Sequence, residues 1–364
     1  MSHCTPPSWL SVGTLYSIKH GSHAYGTATP TSDLDIRGLC CPPPRYMHGW
    51  LMQFEQYEQK GDPDIVIFDI RKFFRLAADC NPNIIEMLFV DRADVMTTSP
   101  EAELLLERRS LFLSRKARMT FAKYAIGQLK RIETHRQWLL NPPAAPPKRD
   151  DYNLPSYDEV PKAQLDAIDS MIAREVAGWE VDLDGIDPAS RIAVAQRIER
   201  SLSSINVATY EQRYRLAAQH IGVHDSLVRI AEQERSYRAA QRRWDQYNVW
   251  LASRNEARAA LERRVGYDAK NAMHLVRLLR MCREILQAGE VIVKRPDAAE
   301  LLEIRNGAWS YERLAAWASQ QDAELDAICD ASPLPRSPDR ELLDALCVDV
   351  VERAATRIYG HVAR

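Results

Sequence analysis

Gly21-Ser22-His23-Ala24-Tyr25-Gly26-Thr27-Ala28-Thr29-Pro30-Thr31-Ser32-Asp33-Leu34-Asp35-Ile36-Arg37-Gly38 runs from a helix start through a turn into a strand. Gly21 lets the backbone approach a phosphate, and Ser22 caps or starts a helix whose first amides are free to hold an anion. Asp33 and Asp35 stand at i and i+2, so on a strand they project from one face. Two carboxylates at that spacing can grip one or two Mg²⁺ ions, and such ions bridge triphosphate oxygens. Gly-Ser alone is also what a polar surface loop looks like, but here Gly26-Thr27 and Ser32 accompany it.

Around this stretch the pattern is that of a small sheet. Residues 10–20 form a first element, helix or strand, and residues 22–26 a short helix. Thr29-Pro30-Thr31-Ser32 is a turn, residues 34–41 a strand, and Pro42-Pro43-Pro44 its stop. Residues 52–59 and 64–68 read as further strands joined by Lys60-Gly61-Asp62-Pro63. An amphipathic helix over Ile70–Ala78 carries Arg71, Lys72 and Arg75. Lys72 either reaches a phosphate or belongs to a solvated face. Asn81-Pro82-Asn83 breaks this helix, and residues 84–90, with Glu86, continue the domain. Strand signals thin out from Pro100, which divides the chain into a first domain, 1–100, and a helical domain, 101–364.

The chain has 364 residues, enough for two cores, and a net charge of −2, so basic character is local. The run 108–136 holds Arg109, Arg115, Lys116, Arg118, Lys123, Lys130 and Arg131, with Phe121, Tyr124 and Trp138 nearby; Glu133 is its one acid. Such a surface suits a phosphate backbone with stacked bases, or a solvated helix face. Residues 141–147 are a Pro-rich linker. Helices are expected over 161–178 and 189–205, separated by an acidic turn at 180–187, and two long charged helices over 210–264. After Gly266 a helix opens in which Lys270, His274 and Arg277 share one face, with Tyr267 at its start. That row suits a nucleotide or phosphate, although a lone helical histidine is usually structural. Residues 289–294 form a short strand or an extended arm.

Seven cysteines, an odd number without Cys-x-x-Cys, argue against a disulfide framework or zinc site and for a reducing cytoplasm. Cys40-Cys41 reads as two buried strand-end thiols. No apolar run approaches the length of a membrane span, and residues 1–7 lack a basic region followed by an apolar one. The expectation is a cytoplasmic protein without membrane contact.

The Gly21–Gly38 stretch resembles the signature of the DNA polymerase β-type nucleotidyltransferase superfamily. Lys72-Phe73-x-x-Leu76, Asn81-Pro82 with Glu86, Tyr124-Ala125-x-x-Gln128-Leu129 and His135-Arg136-x-Trp138-Leu139 resemble its RNA repair pathway DNA polymerase β family. So do Trp250-x3-Arg254-Asn255, Gly266-Tyr267-Asp268-x-Lys270-x3-His274-Leu275-x-Arg277-Leu278 and Arg295-Pro296-Asp297. The resemblance implies an α+β fold, a small mixed sheet with helices followed by an all-α domain. It implies Mg²⁺-dependent transfer of a nucleoside monophosphate from an NTP to a hydroxyl, with two ions expected and Mn²⁺ as an alternative. On the motif, Gly21 and Ser22, with Thr27, Ser32 and Arg37, would cradle the nucleotide, and Asp33 and Asp35 would hold the metals. Lys72, Tyr267, Lys270 and His274 would add nucleotide contacts.

The fold also calls for a third carboxylate on the strand beside Asp33 and Asp35, to hold the metal at the attacking hydroxyl and act on its proton. Asp64, opening an apolar strand, is the first choice; Asp69, which can instead cap the following helix, is the second. The family name points to an RNA end as acceptor. A protein acceptor or partner, and a non-catalytic RNA-binding module, are the alternatives. Arg215-x4-His220 also fits the spacing of a helical ribonuclease family found beside minimal nucleotidyltransferases.

Overall fold

Residues 64–69, Asp-Ile-Val-Ile-Phe-Asp, place four apolar side chains in succession, which suits a strand covered on both faces. In the computed structural model they are β4 (Asp64–Asp69), an interior strand. The structure describes residues 5–157, 160–178, 210–254 and 256–360. The sheet has five strands in the order β3-β4-β2-β1-β5, with β1 at Thr14–His20, β2 at Asp35–Cys40, β3 at Gln56–Gln59 and β5 at Val95–Thr97. β2 and β4 run parallel and every other neighbouring pair runs antiparallel. This is the small mixed sheet with helices, followed by helices, that the sequence leads one to expect.

The edges of the expected elements move for local reasons. Residues 10–20 contain both alternatives, a helical turn at Leu10–Gly13 and then β1. The strand expected over 52–59 shrinks to β3, because its partner runs out. Gln56 pairs with Phe68, the Asp69 amide makes one last bond to the Glu55 carbonyl at 2.8 Å, and the chain then turns into a helix. β5, three residues beside Ser17 and Ile18, is too short to leave a periodic signal.

The Ile70–Ala78 helix is capped by Asp69, whose carboxylate accepts from the Arg71 amide at 2.7 Å. It buries Ile70, Phe73, Phe74, Ala77 and Ala78, a stripe at helical spacing. The Pro82–Leu88 helix is capped by Asn81 and starts on Pro82. The Ala269–Ala288 helix is capped by Asp268 and buries residues all round its circumference. Its Leu275, Leu279 and Cys282 share one core with Phe121 and Ile132 of the Lys116–Leu140 helix and with Leu15, Ile18 and Leu39 of the sheet.

Compactness therefore divides the chain elsewhere than the expected boundary near residue 100. One unit comprises Met1–Asn141 with Glu256–Arg364, and the second is Pro142–Asn255. The first unit's helices after Pro100 share one core with the sheet and helices of the first hundred residues, so no break in packing occurs there. The bond that fixes them is ionic. Glu86 and Arg277, both almost fully buried, pair through Oε1 and Nη1.

The second unit has its own small core of Ile172, Val176, Tyr214, Ala217, Ala218 and Val228. Its helices include Lys162–Gly178, Tyr210–His220 and Asp225–Ala252. The expected pair of long helices over 210–264 is thus broken into three, the last being Glu256–Val265 in the first unit; the first break falls at Gly222, whose φ is +77°. The acidic turn at 180–187 and the helix at 189–205 lie outside the described residues.

Removing one partner of a buried ion pair strands the other charge. Arg277→Met is expected to cost about 3–5 kcal/mol in urea unfolding, and adding Glu86→Gln to recover part of that loss.

Candidate active site

The parallel register of β2 and β4 sets Asp35 directly opposite Asp64, at the start of both strands. Asp33 stands two residues before Asp35 and is exposed. Arg37, two residues further along β2, reaches back between the acids. Its Nη2 lies 3.1 Å from Asp35 Oδ1 and its Nη1 2.9 Å from Asp64 Oδ1. It also donates to the Asp64 carbonyl at 2.9 Å. Burial lifts the Asp35 carboxyl above its usual range; Arg37 opposes the shift, while Asp33 and Asp64 add to it. Asp69, the alternative third acid, sits at the far end of the same strand pair, opposite Cys40. Five residues of strand, roughly 16 Å, separate it from this group. It is buried, capping the next helix and paired with Arg71 at 2.8 Å.

Gly21 is held against Asp35. Its φ is +63°, and a Cβ there would overlap the Asp35 carboxylate. It opens the short Gly21–Tyr25 helix, whose start no side chain caps. Ser22 is half-buried, and its carbonyl accepts from the Thr27 amide at 2.9 Å. Thr27 is fully buried, yet its Oγ1 has no hydrogen-bond partner. Ser32 has a turn to close, since its Oγ accepts from the Thr29 amide at 2.9 Å.

The Ala269–Ala288 helix contributes less of a cationic row than its spacing suggests. Lys270 is exposed, and its charge acts on Asp35. His274 is half-buried, with its pKa lowered to about 3 by burial and by the charges of Arg277, Lys270 and Arg305, so it is neutral. Arg277 lies in the core, on Glu86 and 3.7 Å above the Tyr25 ring centre. Tyr267 is likewise a core residue, its hydroxyl donating to the Trp309 carbonyl at 2.8 Å. Lys72 belongs to the Asp69 end of the sheet and pairs with Glu55 at 2.7 Å. The structure brings neither Tyr267 nor Lys72 to the acids, because helical spacing fixes which residues share a face but not where that face looks.

Two residues without a distinctive motif join the site. Arg305 donates to the Thr27 carbonyl at 3.4 Å. His20, immediately before Gly21, lies 3.6 Å from Glu86 and meets the Asn83 backbone. Its position next to Gly21 is the only signal the sequence offers for it.

Much of the basic run 108–136 is spent inside the protein. Arg115 donates to the Leu334 and Ser332 carbonyls at 2.9 and 2.7 Å. Arg118 pairs with Asp322 and Asp326, each at 2.8 Å, and Lys116 with Asp79 at 3.1 Å. Arg136 pairs with Glu312 at 3.4 Å and covers the Tyr311 ring. In the second unit, Arg215 and His220 are held by Glu232 and Glu175, each at 2.8 Å. Cys40 and Cys41 are buried, and burial pushes both thiols up in pKa. Among the described residues no helix is long and apolar enough to cross a membrane.

Asp33 and Asp35 offer the hard oxygens that Mg²⁺ takes. Yet no three His, Cys, Asp or Glu side chains converge on a metal position among the described residues. The donor set fits an ion held by one or two carboxylates together with substrate phosphates, the usual habit of Mg²⁺.

The histidines make stability depend on pH. Burial lowers His20 to about 4, with Glu86 opposing and Arg37 and Arg277 adding, and lowers His274 to about 3. Unfolded, both rings titrate near the ordinary ~6.5, so unfolding takes up protons below that value. The denaturation midpoint should be flat above about pH 7 and fall as pH drops from 6.5 toward 4. His274→Gln should flatten that fall, and an unchanged slope would refute the assignment.

Comparison with known proteins agrees with this geometry. Residues 8–142 match the family model described as the RNA repair pathway DNA polymerase beta family. The match contains Gly21, Asp33, Asp35 and Asp64 but stops before the motifs around Trp250, Tyr267 and Arg295. An uncharacterized 38.9 kDa protein of Enterobacteria phage T4, from the nrdC-mobD intergenic region, is 34% identical over 84 residues. That alignment spans 21% of this chain and 25% of the phage protein. No solved structure matches the chain. Over residues 8–142 this chain is similar to the RNA repair pathway DNA polymerase beta family, and the polymerase β character of that family points to a nucleotidyltransferase-type role.

Proposed function

We propose that the chain transfers a nucleoside monophosphate from an NTP to a hydroxyl, with Mg²⁺ and with an RNA end as acceptor. The observation that carries this reading is the register that seats Asp64 beside Asp35, with Asp33 preceding and Gly21 pressed against the Asp35 carboxylate. Asp33 and Asp35 would hold the ion, and Mn²⁺ could replace it. When bound, the ion offsets charge on the triphosphate and on the leaving pyrophosphate. Lys270 and Arg305 flank the site as cations for the phosphates, the Gly21–Tyr25 turn approaches them with backbone, and neutral His274 lines the same wall. The acceptor oxygen forms a bond to the α-phosphorus as the bond to the β-phosphate oxygen breaks. Asp64, one strand away, is the carboxylate for the departing hydroxyl proton. The RNA acceptor is supported by the family description alone.

The test is incubation with each labelled NTP and Mg²⁺, offering RNA and protein as separate acceptors. Asp33→Asn/Asp35→Asn is expected to lose at least about 10²-fold in incorporation. Label carried on protein would replace the acceptor, and unchanged incorporation in the double variant would sink the metal assignment. Gly21→Ala should lower incorporation by about 10²-fold through displacement of Asp35, while circular dichroism stays that of the parent.

A further inference from the structure

The Lys116–Leu140 helix and the turn around Asn81 enclose a cavity of about 480 Å³ that the reading above leaves unused. Tyr124, Gly127, Gln128 and Arg131 line it at helical spacing, with Lys123 beside them and Asn81 opposite. Gln128 is only 8% exposed, and its Oε1 has no hydrogen-bond partner. A buried carboxamide left unsatisfied is rare and wants a ligand. Tyr124 is 48% exposed, a large ring at the cavity mouth. Gly127 has open space where a Cβ would stand, so the wall beside that ring is bare. Lys123 and Arg131 are exposed and have no ion-pair partner among the described residues, unlike Lys116, Arg118 and Arg136 of the same run. The one acid of the cavity, Asp79, is already held by Lys116 and Arg340.

A flat ring, a carboxamide that both donates and accepts, and two cations are the complement of one nucleotide: base face, base edge and phosphate. Successive contacts link the cavity wall to the acids. Asn81 caps the helix through the Asn83 amide, the Asn83 backbone meets His20, and His20 pairs across the sheet with Asp35. We infer that this cavity binds an unpaired nucleotide of a single-stranded RNA, stacked on Tyr124, read by Gln128 and held at its phosphate by Lys123 and Arg131. The inference rests on the proposed reading only for the choice of RNA as the strand.

Binding can be measured without catalysis. A short fluorescein-labelled single-stranded RNA of mixed sequence is titrated with the full-length protein, without NTP or Mg²⁺, and followed by anisotropy. Tyr124→Ala should weaken binding about 10-fold. Lys123→Ala/Arg131→Ala should weaken it and lower the log–log salt slope by about 1.4. Gly127→Leu fills the cavity while improving helix propensity, so it should weaken binding with no loss of thermal stability. Asp33→Asn/Asp35→Asn should bind RNA like the parent, which separates failure of the chemistry from failure of the cavity. Parental affinity in both Tyr124→Ala and Gly127→Leu would overturn the inference. So would competition by duplex RNA equal to that of the single strand, or displacement of the RNA by no strand but only by free AMP.

Discussion

The Glu86–Arg277 pair is the constraint on which the site depends. A carboxylate as buried as Glu86 is tolerable only if its charge is met and its lone pairs are filled. Arg277 meets the charge, the Tyr25 hydroxyl donates at 2.6 Å, and His20 stands 3.6 Å away. Tyr25 thus ties the C-terminal end of the Gly21–Tyr25 turn to this carboxylate, and the neutral His20 ring lies beside it at the other end. The guanidinium comes from the Ala269–Ala288 helix, far along the chain. The same helix carries Lys270, whose charge acts on Asp35.

A second electrostatic problem is solved within β2 itself. Asp35 and Arg37 share one face of β2, Asp33 stands just before the strand, and the parallel neighbour adds Asp64. Without a cation, these acids would repel one another. Arg37 shares its guanidinium between Asp35 and Asp64, which lets the strands pair, but the Asp35 carboxyl remains raised. Burial is the chief cause of that shift, with the neighbouring acids Asp33 and Asp64 adding to it.

What could be read from the sequence was local. The apolar run of β4 and the stripe of the Ile70–Ala78 helix declare themselves within a few residues and appear as read; of the paired aspartates, Asp35 opens β2 while Asp33 stands just before it. What could not be read was long-range. Lys270, His274 and Arg277 do share a helix face, but that face runs from solvent into the core, so its cations end in three different states. The acids that quench Arg118 and Arg136 come from the Tyr311–Ala331 helix, beyond any window that could reveal them. Asp69 lies at the end of the sheet away from Asp35 because β2 and β4 are parallel, a fact set by topology rather than composition.

The Lys116–Leu140 helix shows the remaining logic. One face is committed to the core through Phe121, Ala125 and Ile132. Beside it, the helix accepts two local penalties: a glycine at 127, worth about 1 kcal/mol against alanine, and a buried amide oxygen without a partner at Gln128. Neither helps folding, and both open onto the same cavity, next to the exposed Tyr124. Residues that break local rules in an otherwise consistent helix gather where a protein has other uses for them. Here they gather beside Asn81, which caps the helix that carries Glu86, so the cavity wall and the carboxylate that accepts from Tyr25 belong to one element.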